Sequence, residues 1–85
     1  MSKKYYVYIV QCADGTFYTG YTTDVKRRIL EHNFSSRSAK YTRSRRPVKL
    51  LYKEEYDDLS SALRREHQIK RLSRRAKKAL VDKNV

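Results

Sequence analysis

Two runs of aromatic and β-branched residues, joined by a turn signal, constrain the fold of this chain most strongly. Residues 5–12 alternate bulky apolar side chains, and residues 16–22 are again rich in tyrosine and threonine. The Asp14-Gly15 pair between the two runs is typical of a β-hairpin turn. The sequence therefore predicts that the chain begins with an antiparallel β-hairpin.

The length of the hairpin loop decides which tyrosines share a face of the sheet. With a two-residue loop at Asp14-Gly15, Tyr8 and Tyr18 lie on opposite faces, because successive side chains alternate along a strand. With a three-residue loop over 13–15 and Gly15 in the left-handed conformation, the register moves by one residue and the two tyrosines share a face. Both registers remain open in the sequence. A common site for the two tyrosines requires the longer loop.

The segment after the hairpin has the apolar spacing of a first helix. Thr23 or Asp24 is a candidate N-cap, because both side chains can accept a hydrogen bond from the first turn. The apolar stripe that follows comprises Val25, Ile29 and Leu30. This helix is predicted to end near residues 32–33.

The rest of the chain is predicted to form a loop, a strand and two helices. Residues 34–47 are polar and basic and are predicted to be a connecting loop, followed by a strand over 48–56. Ser60 or Ser61 is a candidate cap for a second helix, and Ser73 for a third. The predicted fold is α+β, a small three-stranded antiparallel sheet flanked by helices in the order β-β-α-β-α-α.

The length of 85 residues allows one domain. We expect it to span residues 1–85, with a core over 5–72 and a basic C-terminal helix over 73–82. Cys12 is the only cysteine, so no intrachain disulfide can form, which fits a reducing cytosol. No apolar run of about 18 residues occurs and no apolar heptad demands a dimer. We therefore expect a cytoplasmic monomer that does not enter a membrane.

The net charge of the chain indicates its partner. Lysine and arginine number 21 against nine acids, which gives +12 at pH 7 and a pI near 10.1. Self-repulsion on so small a body is a cost that binding to a polyanion offsets. The predicted partner is nucleic acid, and a partner protein that supplies specificity remains open.

Three side chains have positions that suggest more than a structural role. Arg28 and His32 stand four residues apart on one face of the first helix, where an arginine can bind a phosphate and a histidine can relay a proton. Glu66 lies three residues from Leu63 and from Ile69, on the predicted buried stripe of the second helix. A carboxylate there needs a partner, and two remain open: an ion pair with Arg28, or a hard divalent cation.

The order of these residues resembles the GIY-YIG endonuclease family. Tyr6-Val7-Tyr8 and Tyr18-Thr19-Gly20 are separated by a short hairpin and followed by a helix bearing Arg28 and His32 and a later helix bearing Glu66. The resemblance covers about residues 5–72. Several spaced elements in one order make chance agreement improbable.

Further motifs are similar to particular members of that family. The segments Cys12-Ala13-Asp14-Gly15, Lys40-Tyr41-Thr42-Arg43 and Ala62-Leu63-Arg64-Arg65-Glu66 resemble the small stand-alone bacterial proteins of the YhbQ type. They are also similar to the catalytic subunit of the Slx structure-specific nucleases. The sequence departs from the family pattern at Tyr6, where a glycine is usual, and at Thr19, where an isoleucine is usual.

The resemblance implies metal-dependent hydrolysis of a phosphodiester, with a single Mg²⁺ or Mn²⁺ ion. It implies that Tyr8 and Tyr18 orient or deprotonate the attacking water, without deciding which is the base. It further implies that Arg28 steadies the phosphate, that His32 assists proton transfer and that Glu66 holds the metal. The implied setting is structure-selective cleavage in DNA repair or recombination.

Two groups of basic residues are predicted to contact nucleic acid. The first lies in the connecting loop and surrounds an aromatic residue that can stack on a base; the second lies on the second helix. The loop group comprises Arg37, Lys40, Tyr41, Arg43, Arg45 and Arg46, and the helix group comprises Arg64, Arg65, Lys70 and Arg71. Two functions remain open: a divalent-metal-dependent endonuclease, or a non-catalytic nucleic-acid-binding module with the same fold.

Overall fold

A three-stranded antiparallel sheet in the order β2-β1-β3 organises the molecule. The structure, a computed structural model, describes residues 3–83, so the first two and last two residues of the predicted domain lie outside it. Its elements are β1 (Tyr5–Gln11), β2 (Phe17–Thr22), α1 (Val25–Phe34), α2 (Lys40–Arg43), β3 (Lys49–Tyr56), α3 (Leu59–Lys70) and α4 (Arg74–Asp82). The predicted α+β class is confirmed. Within residues 3–83, no helix is long and apolar enough to cross a bilayer.

The hairpin has the longer of the two possible loops. The backbone N–H of Cys12 donates to the carbonyl of Thr16 at 2.8 Å, which closes a loop of three residues. Gly15 has a φ of 86°, a left-handed conformation that glycine adopts without strain. Tyr8 pairs with Gly20 and Val10 with Tyr18, so Tyr8 and Tyr18 lie on the same face.

Strand β1 is buried on both faces, and the two faces have different cores. We call them the Val7 face and the Tyr8 face. On the Val7 face, Val7 and Ile9 pack with Ala62 and Ile69 of α3, and α4 adds Leu80 and Val81 at the margin. On the Tyr8 face, a second cluster comprises Tyr8, Val10, Cys12 and Val48, with Tyr18 and Ile29 of α1 packed against it.

The buried side of α3 differs from the predicted stripe. Leu59 and Leu63 are exposed, and the fully buried positions are Ala62 and Ile69. A small alanine lets the helix approach the sheet more closely than a leucine would, so the helix is rotated toward Ala62. Glu66 remains on the buried side, because it lies four residues after Ala62 and three before Ile69.

The N-cap residues show where α1, α3 and α4 begin. Asp24, and not Thr23, caps α1, and its side chain accepts from the backbone N–H of Arg27 at 3.0 Å. Asp58, and not Ser60 or Ser61, caps α3 by accepting from the N–H of Ser61 at 2.8 Å. Ser73 caps α4 as predicted.

The segment between α1 and β3 is more ordered than its polar composition predicts. It contains the short helix α2, and it buries Ser38 and Thr42. The Arg46 guanidinium donates to the carbonyls of His32 and Ser35 and to Ser38 Oγ. Since these polar groups satisfy one another, Ser38 and Thr42 are buried in a segment with few apolar residues, and a prediction from hydrophobicity does not detect this order.

Candidate active site

A chain of hydrogen bonds connects Tyr8 in the sheet with the segment between α1 and β3. Tyr8 Oη lies 2.7 Å from His32 Nε2, and His32 Nδ1 lies 2.9 Å from Thr42 Oγ1. All three side chains are essentially inaccessible to solvent. The sequence placed His32 at the margin of the core, whereas the structure places it inside.

Burial determines the protonation states of the Tyr8–His32 pair. Burial lowers the pKa of His32 to about 4, and the charge of Arg28 acts in the same direction, so the imidazole is neutral at pH 7. Burial also raises the pKa of Tyr8, and a hydrogen bond from Arg28 offsets only part of this effect. The phenol therefore keeps its proton, and His32 Nε2 lies within hydrogen-bond distance of it, with the direction of the bond set by the tautomer of His32.

Gly20 allows Tyr8 to reach His32. A Cβ atom at position 20 would lie 2.5 Å from Tyr8 Oη and 2.8 Å from Tyr8 Cζ, closer than real contacts allow. The phenol thus lies directly against the backbone of β2. A Cβ atom at position 20 would also lie 3.2 Å from Tyr18 Cε2, so Gly20 allows both tyrosines to approach the backbone of β2.

Tyr18 occupies a different place in the site from Tyr8. Its ring packs edge-on against His32, with centroids 5.5 Å apart, and stacks on Tyr41 at 5.9 Å. The Arg45 guanidinium covers Tyr41 at 4.0 Å from the ring centroid. Within the protein, Tyr41 therefore already contacts both an aromatic ring and a guanidinium.

Arg28 lies beside the tyrosine and histidine pair. It donates to Glu31 Oε1 at 3.1 Å and to the carbonyl of Arg37 at 2.8 Å. Its charge contributes to the pKa values of both Tyr8 and His32. Arg28 thus supplies fixed positive charge at the Tyr8 face.

Glu66 lies on α3, and its charge reaches Tyr8. Its side chain is 15% exposed, and the Lys70 ammonium lies 3.5 Å from Oε2. The predicted ion pair with Arg28 does not form, because Arg28 pairs with Glu31 instead. The negative charge of Glu66 nevertheless contributes to the raised pKa of Tyr8, so the two groups are electrostatic neighbours.

A divalent ion would have one protein carboxylate at this position. Within residues 3–83, no three His, Cys, Asp or Glu side chains gather into a group that could hold a metal by themselves. Magnesium commonly uses one or two carboxylates, with water and substrate phosphate completing its shell. Glu66, whose side chain is mostly buried and whose carboxylate pairs with Lys70, fits that pattern.

Several predicted nucleic-acid contacts have other partners in the structure. Arg65 forms two hydrogen bonds with Glu54, at 2.8 and 3.0 Å, and we no longer place it at a phosphate. Arg43 donates to loop carbonyls, and Arg45 pairs with Asp14 at 3.1 Å. These arginines therefore stabilise the segment between α1 and β3, which the sequence predicts only as a connecting loop.

Four predicted basic residues remain open to a ligand. Their side chains are exposed and make no hydrogen bond or salt bridge with other residues in the described part of the chain. These residues are Arg37, Lys40, Arg64 and Arg71. Lys70 is also exposed, but its ammonium lies beside Glu66.

Sequence reasoning missed Thr42 and Asn33. The Asn33 amide brackets Val48, accepting from its N–H at 2.6 Å and donating to its carbonyl at 3.1 Å, and so connects α1 with β3. Thr42 was quoted only as part of a basic motif. Its one distinguishing signal is that it is a β-branched residue within a run of charged ones.

The fold and this arrangement correspond to a known class of protein. The family profile described as the GIY-YIG catalytic domain matches residues 4–79. The chain therefore belongs to the GIY-YIG family, whose members are generally endonucleases and typically use a divalent metal.

Within that family, the chain is similar to UPF0213 proteins. It is 60% identical over 77 residues to one from Desulfotalea psychrophila, a match that covers 91% of this chain and 70% of that protein. It is 57% identical over 76 residues to one from Halobacterium salinarum, covering 89% and 97%. The solution NMR structure of a UPF0213 protein from Bacillus halodurans has a TM-score of 0.60 and 49% identity, covering 93% of this chain and 83% of that one.

Proposed function

We propose that this protein is a divalent-metal-dependent endonuclease that hydrolyses DNA phosphodiesters. The observation that carries the proposal is the 2.7 Å contact between the Tyr8 phenol and the neutral His32 imidazole. A buried donor and acceptor of this kind can move a proton without first forming a charged phenolate. The contact also distinguishes Tyr8 from Tyr18 and makes Tyr8 the proposed base.

The proposed step is a proton relay coupled to attack by water. The water oxygen forms a bond to phosphorus while one of its protons passes to Tyr8 Oη, and the phenolic proton passes to His32 Nε2. The ester P–O bond breaks, and solvent protonates the leaving oxygen. A buried tyrosine is a poor base by itself. In this relay Tyr8 is never required to ionise alone, because it passes its own proton to His32 as it accepts one from water.

Positive charge at the phosphate is the second requirement of the reaction. Arg28 supplies one fixed charge beside Tyr8. A bound Mg²⁺ or Mn²⁺ ion would neutralise charge on the phosphate oxygens. Glu66 would hold this ion from α3, and Lys70 would move away from the carboxylate as the ion binds.

The exposed basic residues support binding to a polyanionic backbone. Arg37 and Lys40 precede Thr42 in the segment between α1 and β3, and Arg64 and Arg71 lie on or next to α3. Contacts with phosphates position a protein on DNA without reading its sequence. We therefore infer recognition of DNA shape, in repair or recombination, by a cytoplasmic monomer.

Cleavage of plain, nicked and branched DNA in magnesium or manganese tests the proposal. We expect cleavage by the wild type that depends on the metal and is lost in Glu66→Gln, because the amide cannot hold the ion as a carboxylate does. Glu55→Gln is the matched control, because Glu55 is an exposed acid that pairs with Lys4. Arg28→Lys and Arg27→Lys form a second matched pair.

Binding measured in parallel separates the two functions that the sequence left open. Affinity should fall by about three to five decades between 50 and 200 mM salt if about six to ten phosphates are contacted. Salt-dependent binding without cleavage by any form would indicate a non-catalytic module. A flat salt response would contradict the nucleic-acid assignment itself.

A further inference from the structure

Thr42 has contacts that the proposed reaction does not yet use. It is fully buried, its hydroxyl lies 2.9 Å from His32 Nδ1, and it lies 3.1 Å from the carbonyl of Ala39. A threonine hydroxyl has one proton to donate and lone pairs with which to accept. The hydroxyl can therefore accept from His32 while it donates to Ala39.

We propose that Thr42 is a positioning residue that holds His32 in the tautomer with the proton on Nδ1. This inference rests on the proposed roles of Tyr8 and His32 in cleavage. In this tautomer Nε2 carries the lone pair that receives the Tyr8 proton. Thr42 acts through His32, and it need not contact the substrate.

Only one arrangement of the hydrogen bonds gives an acceptor to each of the protons on Tyr8, His32 and Thr42. Tyr8 donates to Nε2, Nδ1–H donates to Thr42 Oγ1, and the Thr42 hydroxyl donates to Ala39, so each of the three protons has an acceptor. In the reverse arrangement Nε2–H points at Tyr8, and the phenolic proton has no acceptor within residues 3–83. A buried donor without an acceptor costs more than a hydrogen bond gains, so the first arrangement is favoured.

The backbone around Thr42 holds its hydroxyl in place. The carbonyl of Ala39 accepts the N–H groups of Thr42 and Arg43, each at 3.1 Å, at the start of α2. The Arg43 side chain then donates to the carbonyl of Ser36 at 2.9 Å. Order in this loop is thereby coupled to the tautomer of His32, which explains why a polar segment is packed so closely.

NMR of protein labelled with ¹⁵N in its histidine side chains tests the inference directly. In the wild type, His32 should show a protonated Nδ1 and an unprotonated Nε2, with its signals distinguished from those of His67 by a His67→Gln variant. Thr42→Val removes the acceptor of the Nδ1 proton but keeps the shape of the side chain, so the population of the tautomer protonated at Nε2 should rise. Thr42→Ser keeps a hydroxyl and should restore the wild-type tautomer.

Cleavage kinetics provide the second readout. Loss of the partner that orients a functional histidine typically costs about 10- to 100-fold. We expect Thr42→Val to lower kcat by this factor with little change in KM, and Thr42→Ser to recover most of it. A purely structural role would lower both through the folded fraction, without moving the tautomer.

The results that overturn the inference are specific. A wild-type His32 protonated at Nε2 contradicts it without any variant, and so does a Thr42→Val protein whose His32 tautomer populations match those of the wild type. If Thr42→Val does not fold, the wild-type and Thr42→Ser spectra still decide. If the wild type does not cleave DNA, the proposed function fails, whereas the tautomer measurement still tests the action of Thr42 on His32.

Discussion

The two faces of β1 are built from neighbouring residues but differ in chemistry. On the Val7 face, Val7 and Ile9 meet Ala62 and Ile69, and the contacts are apolar. On the Tyr8 face, one residue away in sequence, a phenol is hydrogen-bonded to a buried histidine. An apolar core needs only suitable volumes, whereas a polar core needs a partner for each donor and acceptor.

The two faces contribute different properties to the protein. The Val7 face supplies burial of apolar surface, which is the main stabilising contribution in a small domain. The Tyr8 face keeps polar groups in fixed positions and out of water, where proton transfer is best controlled. The consequences of mutation should therefore differ in kind between the faces, and not only in size.

The largest expected effect on stability is the response of the Tyr8 face to acid. The folded pKa of His32 is about 4, below an unfolded value of about 6.5. As the pH falls from 6.5, the unfolded chain takes up this proton before the folded chain does. The contribution is thus complete above pH 6.5 and is lost toward pH 4, and it amounts to about 3 kcal/mol.

Urea unfolding between pH 7 and 4.5 measures this loss. His32→Gln should flatten the profile in that window, because it removes the titrating group. A profile that keeps the same slope in His32→Gln would show that other groups control acid stability, and the neutral buried imidazole would no longer explain it.

Gly20→Ala is expected to disturb the Tyr8 face nearly as strongly. The added methyl would collide with the Tyr8 phenol and push it away from His32. A misplacement of about 1 Å in a catalytic group can cost about 100-fold in rate. Gly15→Asn is the control, since nothing lies within 4 Å of its Cβ position and asparagine tolerates the left-handed conformation. Equal single-turnover rates for both variants would contradict the account.

The smallest effect comes from one substitution made on both faces. Thr19 pairs with Ile9, lies on the Val7 face and is almost fully buried. Its hydroxyl has no hydrogen-bond partner within the described residues. The Thr42 hydroxyl, in contrast, has two partners. Thr19→Val should stabilise the protein by about 1 kcal/mol, and Thr42→Val should destabilise it by a similar amount. Thermal or urea unfolding decides the signs. The same sign for both would show that the faces do not differ as described.

Much of the fold follows from sequence, because its signals are local. The alternation in β1 and β2, the position of Gly15 and the cap at Ser73 each depend on a few neighbouring residues. The hairpin register was left open, since either loop length satisfies the Asp14-Gly15 signal. It was decided by pairing across the sheet, which a local pattern does not contain.

The sequence predicts candidate residues for the site but not the contacts between them. The resemblance brought Tyr8, His32 and Glu66 together, whereas Thr42 and the Glu54–Arg65 pair were missed. Burial of polar residues depends on partners distant in sequence, and composition alone predicts that such residues are exposed. Leu63 was wrongly placed in the core because the apolar spacing of α3 does not show that the helix is rotated toward the small Ala62.

The most direct test of the central claim is a double-mutant cycle between Tyr8 and His32, measured as single-turnover cleavage of a metal-dependent DNA substrate. Each of Tyr8→Phe and His32→Gln should slow cleavage by about 10²- to 10⁴-fold, because each removes one member of the same proton relay. Since the two residues act as a unit, the double variant should be no slower than the slower single variant. If the two factors instead multiply in the double variant, Tyr8 and His32 act independently, and the relay is contradicted.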